Sequence, residues 1–238
     1  MQHTAQENAD AVVLQPAQPA TATVIWLHGL GADGYDFVSI VPELQLPDTL
    51  AVRFVFPHAP HRPVTLNRGY VMRAWYDLKA LALQAEEDEV GIRASEAYVR
   101  QLIEAEIKQG IAADKIVIAG FSQGGAIALQ VALRYPQRLA GVLPLSTYLP
   151  LRQSLADEAS AANKSIPVLM CHGLQDTVVP LQLGERSRDL LLEQGYTIDF
   201  RHYAMPHSVC GEEVRDIGKW LQQVLAQSSD AAVQWRTI

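Results

Sequence analysis

The chain has 238 residues, 49 % of them hydrophobic, and a formal net charge of −7. That length and apolar content suit one α/β domain with a large core. The acidic balance offers no attraction to phosphate backbones or anionic lipid, which argues against nucleic-acid and membrane-surface partners, and no apolar run reaches the ~18 residues of a membrane-spanning helix.

The first ten residues, Met1 to Asp10, are polar and lack the cationic-then-apolar order of a signal peptide. They are expected to be frayed. Without a leader, the two cysteines, Cys171 and Cys210, read as free thiols in a reducing cytoplasm. No His/Cys cluster has ligand spacing, so no metal is expected. From residue 11 onward, short apolar runs alternate with helix-period segments. The runs are Thr23 to Leu27, Val52 to Phe56, Lys115 to Ala119, Leu139 to Leu143 and Ile166 to Met170. Most are nearly continuous and β-branched, as strands covered on both faces are. Tyr196 to Tyr203 alternates more and reads as an edge strand.

Helical faces fall between them. Val99, Leu102, Ile103 and Ile107 form one, Leu183, Ser187, Leu190 and Leu191 a second, and Val214, Ile217, Leu221 and Val224 a third. Gly110 and Gly195 stand where helices use a left-handed cap. The alternation predicts a single α/β domain over 11–225, a mostly parallel central sheet with helices on both faces. Residues 226–238 read as a surface tail in which Trp235 docks back. Chemistry in such sheets lies at the carboxyl ends of the strands.

One strand, Lys115 to Ala119, runs into Gly120-Phe121-Ser122-Gln123-Gly124-Gly125, and a helical segment follows. Gly-x-Ser-x-Gly at a strand-to-helix junction is a nucleophile elbow, a strained turn that pushes the hydroxyl out of the sheet. The bare pattern arises by chance in roughly one chain in ten of this length; the flanking strand and helix remove most of those. A serine hydroxyl needs a base, and the base an orienting acid, in the chain order serine, acid, histidine. Asp176 follows the strand ending at Met170 in a turn-rich loop. Among seven histidines, His207 alone follows that acid on a loop past the last strand. Ser122, Asp176 and His207 are therefore the candidate catalytic residues. A tetrahedral intermediate also needs backbone donors: one from Gln123, after the nucleophile, and one from the glycine-rich loop 27–34.

The stretches His28-Gly29-Leu30-Gly31, Trp75-Tyr76-Asp77, Gly120 to Gly125, Leu145 to Pro150 and His172-Gly173-x-x-Asp176 together resemble the bacterial carboxylesterase and acyl-protein thioesterase family. The resemblance spans about Leu14 to Leu225 and keeps the family's motif order. It implies the α/β-hydrolase fold, no cofactor, and hydrolysis of small acyl esters or thioesters, acylated proteins included. It matches Ser122, Asp176 and His207 to the triad, and Leu30 and Gln123 to the oxyanion positions. Homodimer formation stays open. Two departures are Met72-Arg73 where a proline is common, and Pro206 directly before His207.

The segment His61 to Glu89 is longer than connections usually are. It is expected to line an acyl groove, with Met72, Arg73, Trp75 and Tyr76 as substrate contacts. Arg73 is expected to lie across that groove and to disfavour long chains. A dedicated thioesterase acting on S-acylated proteins is the main alternative. A non-catalytic binding protein on the same fold is a weaker one, because such proteins usually lose a triad member.

Overall fold

The computed structural model describes residues 3–80 and 86–226. The proposed tail from 227, Trp235 with it, and Leu81 and Leu83 of the long segment lie outside the described residues. Ten strands are present among those residues: β1 His3–Glu7, β2 Ala11–Pro16, β3 Ala22–Leu27, β4 Val52–Pro57, β5 His61–Val64, β6 Tyr70–Arg73, β7 Ile116–Phe121, β8 Gly141–Leu145, β9 Val168–Gly173 and β10 Ile198–Tyr203. The helices are α1 Glu89–Lys108, α2 Gln123–Arg134, the short α3 Leu155–Glu158, α4 Leu181–Glu193 and α5 Gly211–Ala226.

Eight strands form one sheet in the order β1-β2-β4-β3-β7-β8-β9-β10. From β4 to β10 every pair is parallel, and β1 and β2 add an antiparallel edge. The fold is the α/β-hydrolase fold expected from the alternation and the motifs. Strand alternation sends residues to two cores. Ile25, Leu27, Ile116 and Ile118 meet α1, α2 and α4 on one face. Val24, Trp26, Val117 and Ala119 meet α5 and the Val38–Leu44 turn on the other. Helix α2 is buried along its whole length, which is why the serine at its start is held between sheet and helix.

Two expectations about the chain's organisation need correcting. The first ten residues are not all frayed: His3–Glu7 pairs with β2, His3 opposite Pro16 and Glu7 opposite Val12. Its side chains are mostly exposed, so it is held by the backbone ladder, by Asn8 Oδ1 accepting the Asp10 and Ala11 N–H groups at 2.8 Å, and by the His3 ring against Phe54. Pairing of that kind leaves no hydrophobic pattern to read. The long segment is also more ordered than a groove-lining loop, because β5 and β6 form an antiparallel hairpin, His61 opposite Arg73. The acidic run at 86–89 is a helix start, with Asp88 Oδ1 capping α1 by accepting Gly91 N–H at 3.0 Å.

Candidate active site

Ser122 stands between β7 and α2 with φ 54° and ψ −119°. A non-glycine residue there is strained, and three contacts hold it. Its N–H donates to Leu145 O at 2.8 Å, and its carbonyl accepts Ala126 N–H at 3.1 Å. The Thr147 hydroxyl donates to the same carbonyl at 2.6 Å. The glycines beside it answer to steric need. A Cβ on Gly124 would stand 2.4 Å from Leu27 O, and one on Gly120 would stand 2.3 Å from Gly124 C. Sequence reasoning gave Thr147 no role, although it lies in the Leu145 to Pro150 stretch just past β8.

The acid and the base arrive on neighbouring loops. Asp176 is buried and its two oxygens are divided between tasks. Oδ1 accepts the N–H groups of Val178 and Val179, both at 2.9 Å. Oδ2 lies 2.7 Å from His207 Nδ1. The two loops are packed backbone to backbone, since a Cβ on Gly173 would stand 2.4 Å from Met205 O and Gln175 N–H donates to Met205 O at 3.1 Å. The His207 ring packs on Phe121, next to Ser122, with centroids 4.7 Å apart. The three expected residues are thus gathered at the carboxyl ends of β7, β9 and β10. Pro206 leaves His207 in place. His172, buried beneath the acid, donates from Nε2 to Val179 O at 2.8 Å. Burial lowers its pKa, and the same Nε2 lies 3.5 Å from Asp176 Oδ2, farther than His207 Nδ1 at 2.7 Å.

The loop after β3 meets the nucleophile directly: a Cβ on Gly29 would stand 3.6 Å from Ser122 Cβ. Around Leu30 the backbone is fixed by Gly31 N–H donating to Arg73 O at 2.8 Å and Ala32 N–H donating to Gly29 O at 3.3 Å. Gln123 opens α2, and the first N–H groups of a helix have no partner within it. His28 secures the loop from below. Its Nε2 accepts Ala59 N–H at 3.0 Å. An amide N–H can only donate, so the proton sits on Nδ1, which donates to Gly29 O at 2.7 Å. Burial brings the His28 pKa down to about 4, and the ring is neutral at physiological pH.

The expected substrate contacts fare unevenly. Met72 lies by the loop, its Sδ 3.5 Å from where a Gly31 Cβ would be. Tyr76 is buried, its hydroxyl 2.7 Å from that of Tyr148, and both line a cavity of about 340 Å³ together with Leu78, Leu149, Leu183 and Leu190. Neither Ser122 nor His207 lines that cavity. Arg73 does not lie across a groove, because its guanidinium donates to Ala59 O at 2.8 Å, behind the loop. Trp75 is not a substrate contact either. It is fully buried, because both of its N–H groups and its ring are used inside the protein. Among the described residues, no group of three or more His, Cys, Asp or Glu side chains is placed to hold a metal ion, and no helix is long and apolar enough to cross a membrane.

Residues 8–225 match the family model described as Phospholipase/Carboxylesterase. The chain is 44 % identical over 223 residues to acyl-protein thioesterase 1 of Neurospora crassa, covering 90 % of this chain and 91 % of that protein. It is 39 % identical over 231 residues to acyl-protein thioesterase 1 of Cryptococcus neoformans, covering 89 % and 96 %. The crystal structure of Zea mays acyl-protein thioesterase 2 superposes with a TM-score of 0.80 at 34 % identity, covering 90 % of this chain and 97 % of that one. With a family match across nearly its whole length and relatives aligned end to end, the chain belongs to the phospholipase/carboxylesterase family of α/β-hydrolases.

Proposed function

We propose that Ser122, His207 and Asp176 act as a catalytic triad that hydrolyses acyl esters and thioesters through an acyl-serine intermediate. The observation that carries this reading is the Asp176–His207 pair, 2.7 Å apart, against the residue that precedes a strained serine. Ser122 Oγ attacks the carbonyl carbon while His207 Nε2 takes its proton. Asp176 Oδ2 accepts the Nδ1–H bond, fixes the tautomer and stabilises the imidazolium. The N–H groups of Leu30 and Gln123 receive the oxyanion. Collapse of the intermediate expels an alkoxide or thiolate, which takes the proton from His207. Water then repeats the sequence on the acyl-serine and releases the carboxylic acid.

Thioester and ester substrates share every one of these steps. The names of the fungal and plant relatives favour S-acylated proteins as substrates, and the cytoplasm is the compartment we propose. The triad is tested with Ser122→Ala, whose kcat should fall by a factor on the order of 10⁶. A folded Ser122→Ala protein, purified free of other esterases and turning over at near-native rates, would refute it. Rates over matched esters and thioesters of graded acyl length then rank the two substrate classes.

A further inference from the structure

The two proposed oxyanion donors belong to separate elements, Leu30 to the loop after β3 and Gln123 to the start of α2. Both N–H groups must reach one oxygen at roughly 2.7–3.1 Å. Something must fix the separation of these elements, and Trp75 touches both. Its indole N–H donates to His28 O at 2.8 Å, two residues before Leu30. Its backbone N–H donates to Gln123 Oε1 at 2.8 Å, and Gln123 Nε2 donates back to Tyr76 O at 2.8 Å. The Ser95 hydroxyl donates to Trp75 O, and the ring packs against His28 at 5.2 Å and Tyr98 at 6.4 Å between centroids. The residue before it but one, Arg73, accepts Gly31 N–H at 2.8 Å.

A tryptophan buried for its bulk alone does not need this arrangement. Trp26 supplies the contrast: it is equally buried, and among the described residues its indole N–H has no hydrogen-bond partner. We propose that Trp75 is a positioning residue that sets the spacing of the two oxyanion donors, one tie to each. The proposal rests on reading Leu30 and Gln123 as those donors. It predicts damage confined to the transition state, because substrate binding in the ground state does not need the two N–H groups at matched distances.

The test uses Trp75→Phe, which keeps a ring and loses the indole N–H, and Gln123→Met, which keeps the helix N–H and loses the side-chain tie. Each should lower kcat about 10- to 100-fold, less than the full loss of a donor, with KM changed less than about threefold. Affinity for an alkyl boronic acid, a tetrahedral mimic, should fall by the same factor as kcat/KM, while affinity for the matching carboxylic acid holds. The double variant should lose little more than either single one, since one broken tie already frees the spacing. Thermal melts establish that each variant is folded, and either single variant suffices if the other does not fold. Unchanged kcat and boronate affinity in a folded variant, or a raised KM with kcat intact, overturns the proposal. Leu30→Pro, which removes the Leu30 N–H, separates the two layers: native kcat in folded Leu30→Pro overturns the oxyanion assignment and the proposal with it. A large loss there beside native rates in Trp75→Phe and Gln123→Met overturns the proposal alone.

Discussion

Asp176→Asn replaces one oxygen by NH₂ and leaves the shape of the side chain alone, so its effect can be worked from the contacts. Oδ1 accepts the Val178 and Val179 N–H groups, both at 2.9 Å, and only an oxygen can stay there. The amide nitrogen then takes the place of Oδ2, 2.7 Å from His207 Nδ1. Facing a donor, Nδ1 must become the acceptor and the ring proton moves to Nε2, where it blocks removal of the Ser122 proton. A wrong tautomer of this kind costs about 10⁴ in kcat, or roughly 5.5 kcal/mol at 1.36 kcal/mol per decade. The alternative is an amide flip, which restores the tautomer but leaves two buried backbone donors facing NH₂, at roughly 1–3 kcal/mol each. The cheaper route sets the outcome, so the expected loss lies between about 30-fold and 10⁴-fold. Burst kinetics with a p-nitrophenyl ester read the acylation step, and a thermal melt checks the fold. A folded Asp176→Asn protein acylating within tenfold of the native rate would show that this carboxylate does not set the histidine tautomer.

Two further outcomes follow from Glu213 and Arg73. Glu213 is fully buried in the first turn of α5, beside the Cys210 backbone and the Cys171 thiol, and burial pushes its acid from 4.5 up to about 8. The unfolded chain ionises first, so stability falls as pH rises from 4.5 towards 8 and levels above; Glu213→Gln should gain about 3–5 kcal/mol relative to the native protein between pH 5 and pH 8, and urea titrations showing a pH-independent difference would contradict this. Arg73→Ala removes a bond to the carbonyl of Ala59, whose N–H is held by His28 of the loop after β3, so kcat/KM should fall by a common factor of about 3 to 10 across acyl chain lengths, and a selective rise for long chains would place Arg73 back in the groove.

How far the sequence could be read depends on where the backbone was the constraint. The elbow was legible because close approach of β7, α2 and the loop after β3 leaves no room for side chains at Gly120 and Gly124, and that exclusion is written as glycine. That Asp176 and His207 meet, 2.7 Å apart, was legible from strand order. The α1, α4 and α5 faces were legible from period, and Gly110 and Gly195 do take left-handed conformations, with φ 99° and 81°. β1 was not, because backbone pairing at an exposed edge imposes no pattern. Trp75 and Arg73 were assigned to the groove because an apolar or long side chain in a long segment reads the same whether it faces inward or outward. For Trp75 the deciding hydrogen bonds reach Gln123, 48 residues away, and His28, 47 residues away, and for Arg73 the bond reaches Ala59, 14 residues away, so a short local window contains none of them. The family was legible, but not its branch: the resemblance pointed to bacterial members, whereas the relatives aligned above are fungal and plant.

The same distinction bears on substrate choice. The elements around Ser122 are fixed by main-chain contacts: the Ser122 N–H on Leu145 O, the Asp176 carboxylate on two amides, the loop after β3 on Arg73 O. Strain of the kind carried by Ser122, of order 1–3 kcal/mol, persists only where the surroundings over-determine it, and these contacts supply that. Side chains farther from Ser122 are of another kind. Leu66, Leu174 and Val178 are exposed, and the cavity beside Tyr76 and Tyr148 mixes leucines with Glu87, Arg152 and Arg186, so its walls are side chains that can change without disturbing the elbow. A substitution among them should move the ratio of rates between acyl groups and leave the pH dependence of kcat alone, whereas a substitution at Gly124 or Thr147 should lower all rates together. Chain-length series on Leu183→Phe and Thr147→Val distinguish the two cases, and a uniform loss in Leu183→Phe would exclude the cavity from substrate selection.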